Sequence, residues 1–301
     1  MASTSENESS ENAPQSQPLA VFGEVLFDCF PGGKRVLGGA PFNVAWALQA
    51  FGLEPLFISA VGKDDPGHAI MERMLDWGMA RGGLHVDAAH TTGEVQVELV
   101  DNEPRYDICS PRAWDAIPDP SICVSGLIYH GSLALRSRMN QVTLRTILER
   151  SPAGRFYDVN LRPPHTPFEL VKTWMTGAEW VKLNLDELRE VLREPKLVFG
   201  DHDDAVDELR ERYSIRNVLL TAGSDGAAIR GLYGSGLLQP APRVEQFADT
   251  VGAGDSFTAV TLYGILSGWT ADEIVDRAGK FAAKVCGLNG ATSESREFYQ
   301  I

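Results

Sequence analysis

Long apolar runs are missing from this 301-residue chain, and none approaches the roughly 20 residues that a bilayer-spanning helix needs. Positive charge is scarce as well: 27 Lys and Arg stand against 41 Asp and Glu, a formal net charge of −14. That balance argues against wrapping nucleic acid or resting on an anionic membrane, so an anionic ligand has to be held by local donors. Cysteine is rare too. Cys29, Cys109, Cys123 and Cys286 lie far apart without a CxxC pair. With no secretory signal peptide ahead of them, they predict a reducing, cytoplasmic setting. Several motifs are absent: a GxxxxGK[ST] phosphate loop, a GxGxxG after the first strand, HExxH or other metal spacing among the six histidines, and GxSxG. Their absence disfavours P-loop enzymes, nicotinamide dehydrogenases, zinc hydrolases and α/β-hydrolases.

What is present suits one large α/β domain, with 44% apolar residues to fill its core. The first seventeen residues, MASTSENESSENAPQSQ, are Ser, Glu and Asn-rich and predict a disordered tail, leaving 18–301 as the folded unit. There, apolar runs alternate with helical patterns, the mark of a parallel sheet flanked by helices. Strands are expected at 19–28, 55–61, 122–131, 155–160, 179–184 and 217–223. Helices are expected at 41–51, near 69–77, at 256–267 and at 271–288. In the first helix Val44, Ala47, Leu48 and Phe51 share one face, and Gly52 stops it. Two regions break the rhythm. Val95, Val97 and Leu99 alternate with polar neighbours before a turn at Asp101, Asn102 and Glu103, which reads as a half-exposed hairpin. With CFPGGKRVLGG it would form a small β-sheet lid from about 29–37 and 92–115; two ordinary loops are the alternative.

Five segments can carry chemistry. DTVGAGDSF (249–257) runs glycine, alanine and glycine into an apolar helix. Backbone N–H groups converging on a helix start favour an anion, and Asp255 would stand at its mouth as a proton acceptor. Equally, Asp255 reads as a plain N-cap and the glycines as a tight turn. LGGAPFN (37–43) is a second glycine pair entering a helix, with Asn43 one turn in and Asp28 at the end of the first strand. Asp and Asn suit bidentate bonds to vicinal hydroxyls; alone, each also reads as a turn or surface residue. In DVNLRPP (158–164), extended spacing would put Asp158, Asn160 and Arg162 on one face, with a salt bridge between Asp158 and Arg162 as the plain alternative. In KLNLDE (182–187), Asn184 and Glu187 fit a capping box, which the spacing favours over contact with Mg2+ or phosphates. TAGSDG (221–226) ends a strand and either flanks a nucleotide or turns the chain.

In this order and spacing, GGAPFNVAWALQAFG (38–52) and DTVGAGDSFTA (249–259) resemble the signatures of the ribokinase-like, or phosphofructokinase-B, carbohydrate kinases. The resemblance covers about 19–291. GEVLFD, the AWDAI at 113–117 and DVNLRPP look most similar to fructokinases. It implies a three-layer α/β/α domain with a mainly parallel sheet and a β-sheet lid, and ATP with Mg2+ and, in many members, a monovalent cation such as K+. The reaction implied is ATP-dependent phosphoryl transfer to a primary hydroxyl of a free sugar, fructose first. A kinase of 2-keto-3-deoxygluconate, a nucleoside or inositol, or a catalytically silent sugar- or nucleotide-binding regulator, is the alternative. By position, Asp255 would be the base and Gly252, Ala253 and Gly254 the anion hole. Asp28, Gly38, Gly39, Asn43 and Arg162 would meet the sugar, with lid residues Gln96, Tyr106 and Ile108 as candidates for substrate choice. Asn184 and Glu187 would lie by phosphate and Mg2+, and Thr221, Gly223, Gly226 and Asn289 by the nucleotide. Asp249 and Val251 would lie by the monovalent cation. The lid would form a homodimer interface. DTVGAGD departs from the usual DTTGAGD, and a valine leaves a backbone anion hole intact.

Overall fold

The computed structural model describes residues 17–100, 103–244 and 247–301. The expected tail, except Gln17, and the turn residues Asp101 and Asn102 lie outside the described residues. The chain opens with β1 (Gln17–Phe22), β2 (Leu26–Cys29), β3 (Arg35–Gly38), α1 (Ala40–Ala50), β4 (Leu56–Gly62), α2 (Asp65–Asp76) and β5 (Leu84–Asp87). The hairpin β6 (Gly93–Val100) and β7 (Glu103–Ile108) follows, then β8 (Val124–His130), α3 (Arg138–Arg150), β9 (Gly154–Asp158) and α4 (Phe168–Met175). Next come β10 (Trp180–Asn184), α5 (Leu185–Leu192), α6 (His202–Tyr213) and β11 (Asn217–Thr221). The antiparallel pair β12 (Ala227–Gly231) and β13 (Gly234–Leu238) leads to α7 (Ala253–Leu266) and α8 (Ala271–Val285).

The main sheet has the order β13-β12-β11-β10-β9-β8-β1-β4-β5, parallel from β11 to β5 and antiparallel at β12 and β13. Successive side chains of β1 feed opposite cores. Ala20 and Phe22 join the one packed by α3, α4, α5 and α6, while Leu19 and Val21 join the one packed by α1, α2, α7 and α8. Both faces are therefore covered, as a parallel sheet requires. Among the described residues no helix is long and apolar enough to cross a membrane.

A second sheet, β3-β2-β6-β7, forms the lid. Its composition corrects the expected first strand. Residues 19–28 are two strands, parted at Gly23, and Asp28 belongs to the lid rather than to the end of β1. Residues 109–115 leave the lid: Trp114 is wholly buried in the main core. Gln17, placed in the tail, begins β1 and donates its N–H to Cys123 O at 3.1 Å. The helix at 41–51 is not one-sided either. Every residue from Pro41 to Gln49 is buried, because α1 is sandwiched between the sheet, α7 and the C-terminal segment, where Trp46 Nε1 donates to Ser293 O at 3.0 Å.

Candidate active site

The strands of the main sheet end on one side, where an open α/β sheet binds ligands. There a cavity of about 840 Å³ lies between the strand ends, the N-termini of α1 and α7, and the lid. On the lid, side chains two residues apart face it: Leu26 and Asp28 from β2, Tyr106 and Ile108 from β7. Val95 faces it from β6, whereas Gln96 is exposed on the other face of the hairpin, so Val95 replaces Gln96 as a lid contact.

The floor is the start of α7. Gly252 is its N-cap, at φ 79, with no side-chain cap. A Cβ there would lie 2.5 Å from the Ala291 Cα, so only glycine fits. Ala253 N–H is used by Thr250 O at 3.2 Å, which removes it from the expected anion hole. The N–H groups of Gly252, Gly254 and Asp255 have no acceptor among the described residues, and all three residues line the cavity. Asp255 is thus not the N-cap. It accepts a hydrogen bond from Asn43 Nδ2 at 2.8 Å. Burial pushes its carboxyl above the ordinary carboxylate range, against the pull of the Asn43 amide and the Lys182 ammonium. A carboxylate of raised proton affinity beside open N–H donors can take a proton while those donors hold an anion.

Asn43 is buried, not a surface residue, and its Oδ1 has no partner among the described residues. Gly39 caps α1 without a side chain at φ 106, and its Cβ would meet Glu24 O at 2.7 Å. Gly38 lies behind Asp28, whose Oδ2 would sit 3.6 Å from a Cβ there. Burial pushes the Asp28 carboxyl up to about 6.

The segment after β9 is not extended, since Asn160 has φ 38, yet Asp158, Asn160 and Arg162 all line the cavity. Asp158 and Arg162 do not pair. Asp158 Oδ2 accepts from Lys182 Nζ at 2.8 Å and from Thr258 Oγ1 at 3.2 Å, while exposed Arg162 reaches into the cavity. Burial opposes the Lys182 charge, but the carboxylates of Asp158, Glu187 and Asp255 together more than offset it and hold the pKa above the usual lysine value. Lys182, with its ammonium 3.6 Å from where a Gly254 Cβ would be, and Glu24, in the passage from β1 to β2, are the site residues that sequence reasoning passed over. The available signal was an ionisable residue inside an apolar strand run.

The capping box at α5 is present. Asn184 Oδ1 accepts from Glu187 N at 2.9 Å, and Glu187 Oε2 from Asn184 N at 2.8 Å. Glu187 Oε1 accepts from Leu161 N at 2.7 Å, and burial raises the pKa of its carboxyl. Asn184, Glu187, Thr221 and Asn289 line the cavity; Gly223 and Gly226 do not. A Cβ on Gly226 would fall 1.8 Å from Leu238 O, so the packing of β12 on β13 accounts for that glycine. Asp249 ties two loops, accepting from Val251 N at 2.8 Å and from Gly290 N at 3.2 Å.

A family model described as pfkB family carbohydrate kinase matches residues 30–297. The chain belongs to the pfkB family of carbohydrate kinases. The relatives of this family member include the fructokinase of Escherichia coli, 29% identical over 93% of this chain and 94% of its own length. The fructokinase of Klebsiella pneumoniae is 28% identical over 91% and 93%. Among solved structures, aminoimidazole riboside kinase from Salmonella enterica, complexed with aminoimidazole riboside and an ATP analogue, is 25% identical with a TM-score of 0.75, covering 91% of this chain and 94% of that one. A fructokinase from Vibrio cholerae in a fructose, ADP and calcium ion bound form is 22% identical, with a TM-score of 0.75 and the same coverage of 91% and 94%. The likeness to the aminoimidazole riboside kinase structure, with the large mainly parallel sheet and the separate small one, establishes the ribokinase-like fold that the resemblance implied.

Proposed function

We propose that this kinase transfers the γ-phosphoryl group of ATP to a primary hydroxyl of a free sugar, with fructose giving fructose 6-phosphate. One observation carries the reading: Asp255, held by Asn43, stands over the uncapped N-terminus of α7. The sugar would lie against Asp28, Gly39, Asn43 and Arg162, under the lid. Its hydroxyl gives its proton to Asp255 as the oxygen forms a bond to the γ-phosphorus. The bond from that phosphorus to the β-phosphate oxygen breaks, and its electron pair leaves with ADP. The N–H groups of Gly252, Gly254 and Asp255 take the charge on the phosphoryl oxygens, aided by the α7 dipole and Lys182.

The residues fit Mg2+ only in the loose manner usual for a nucleotide-borne ion. Both Glu187 oxygens already accept backbone N–H groups, and no cluster of three metal-ligating side chains occurs among the described residues. Glu187 and Asp158, whose Oδ1 is buried and unpartnered among the described residues, would hold it through waters. Bound with ATP, it would neutralise phosphate charge. Asp249 and the Val251 backbone carbonyl are the proposed monovalent-cation contacts. The fructokinase relatives favour fructose; the aminoimidazole riboside kinase favours a riboside as the second reading.

The test is ADP release from Mg-ATP with a panel of free sugars, sugar acids and ribosides, with and without K+. ADP formed only with fructose supports the first reading, and ADP formed only with a riboside moves the assignment. An enzyme that binds these ligands without turnover removes the phosphoryl-transfer proposal.

A further inference from the structure

Glu24 has no part in the reaction so far. It follows Gly23 where the chain passes from the main sheet to the lid. Its carbonyl packs against Gly39 and its neighbour Val25 is wholly buried, so its backbone is fixed. The residue is 3% exposed and lines the cavity. Its Oε2 is buried and has no hydrogen-bond partner among the described residues. Asn43 Oδ1, in the same cavity wall, is in the same state, its Nδ2 being given to Asp255. Buried polar oxygens are rarely left unpaired; Asp158 Oδ1 is a third in this cavity and is given to Mg2+ above, and the other two call for a ligand that brings its own donors.

An anionic group brings none at neutral pH. It would also meet the carboxyls of Asp28 and Asp255, although Lys34, Arg162 and Lys182 line the same cavity as counter-charges. We infer that Glu24 is a specificity-determining residue: its free Oε2 receives a hydroxyl of the acceptor, and its carboxyl turns away acceptors that carry a carboxylate or phosphate at that end. This rests on the acceptor site proposed above. The titration of the group agrees. Burial pushes the Glu24 carboxyl up to about 7, against the pull of its own backbone N–H and of Arg162; Asp255 adds to the rise and Arg136 opposes it. A hydroxyl, both donor and acceptor, pairs with either protonation form. An anion pairs with the protonated one alone.

The test uses the full chain at pH 8, where Glu24 is mostly ionised, with Glu24→Ala to read the hydroxyl bond and Glu24→Gln to read the charge. Calorimetric binding and turnover are measured for fructose, aminoimidazole riboside and the anionic 2-keto-3-deoxygluconate. Glu24→Ala is expected to weaken the preferred neutral acceptor at least about tenfold, with the KM for ATP changed less than about twofold. Glu24→Gln is expected to narrow the preference for neutral over anionic acceptor by at least about tenfold, with a thermal midpoint no lower than the parent's. Unchanged acceptor affinity in Glu24→Ala and an unchanged preference in Glu24→Gln would overturn the inference. An acceptor that binds without turnover sinks the phosphoryl-transfer reading, and the binding ratios still decide on Glu24. A parent protein that binds no member of the panel overturns both.

Discussion

Two helices start at the cavity with a carboxylate in the third position, and they use it in opposite ways. In α5, Glu187 folds back on the helix start. It accepts the N–H of the N-cap Asn184, whose own side chain accepts the Glu187 N–H. That start is closed at Asn184 and Glu187, whose N–H groups the capping box satisfies. In α7 the N-cap is Gly252, which has no side chain to give, and Asp255 is drawn across to Asn43 of α1. The N–H groups of Gly252, Gly254 and Asp255 stay open among the described residues, and the carboxylate faces the cavity. A helix start that satisfies itself is architecture, and one left open at a cavity is suited to an anion. The N-cap residue decides between them.

The strongest way to break the comparison is Asp255→Asn. The amide keeps the size of the side chain but cannot take the hydroxyl proton, so kcat is expected to fall by roughly 10²–10⁴ with little change in the KM for ATP. Steady-state kinetics check this, and near-normal turnover would falsify the role. Next comes Gly252→Ala. At φ 79, and with its Cβ 2.5 Å from Ala291, an alanine must shift the turn and misplace the open donors. Loss of one such donor typically lowers kcat by about 10²-fold. The same strain costs about 1–3 kcal/mol, visible in urea unfolding. A variant with normal kcat would show that the α7 start does not hold the phosphoryl group.

These outcomes bear on what the sequence could disclose. The glycine loop into α7 and the glycine pair into α1 were legible, because both need positive φ or close approach, which only glycine supplies. Their convergence was not. Asn43 and Asp255 are 212 residues apart, and only the packing of α1 on α7 brings them to 2.8 Å. The lid hairpin was legible from its alternation, whereas β2 was hidden, since 19–28 is one apolar run and the switch of sheets at Gly23 leaves no period change. The salt bridge between Asp158 and Arg162, the plain alternative, does not form: the positive φ of Asn160 turns the chain, and Lys182 on the neighbouring strand takes the carboxylate.

A smaller effect sharpens the electrostatic side. The Asn43 amide lowers the proton affinity of Asp255, against the burial that raises it. Asn43→Ala removes the lowering contact, so the Asp255 pKa rises further. The base must be ionised to act, so the acid limb of kcat/KM is expected to move to higher pH. A limb that stays in place while the acceptor KM rises would make Asn43 a sugar contact alone.

The smallest effect belongs to the closed start. Asn184→Ala removes the acceptor for the Glu187 N–H and frees one end of the capping box. Loss of such a cap costs about 1 kcal/mol, which in a protein of this size lowers the thermal midpoint by about 2–4 °C. If the start of α5 is architecture, the KM for ATP changes by less than about threefold, because no donor that meets the nucleotide is lost. The carboxylate of Glu187 also keeps its bond from Leu161, which anchors it independently of the cap. A rise of tenfold or more in that KM, with the midpoint little altered, would place the Asn184 amide on the phosphates. The closed start would then serve the nucleotide as well, and an internally satisfied capping box would not suffice to mark a helix start as structural.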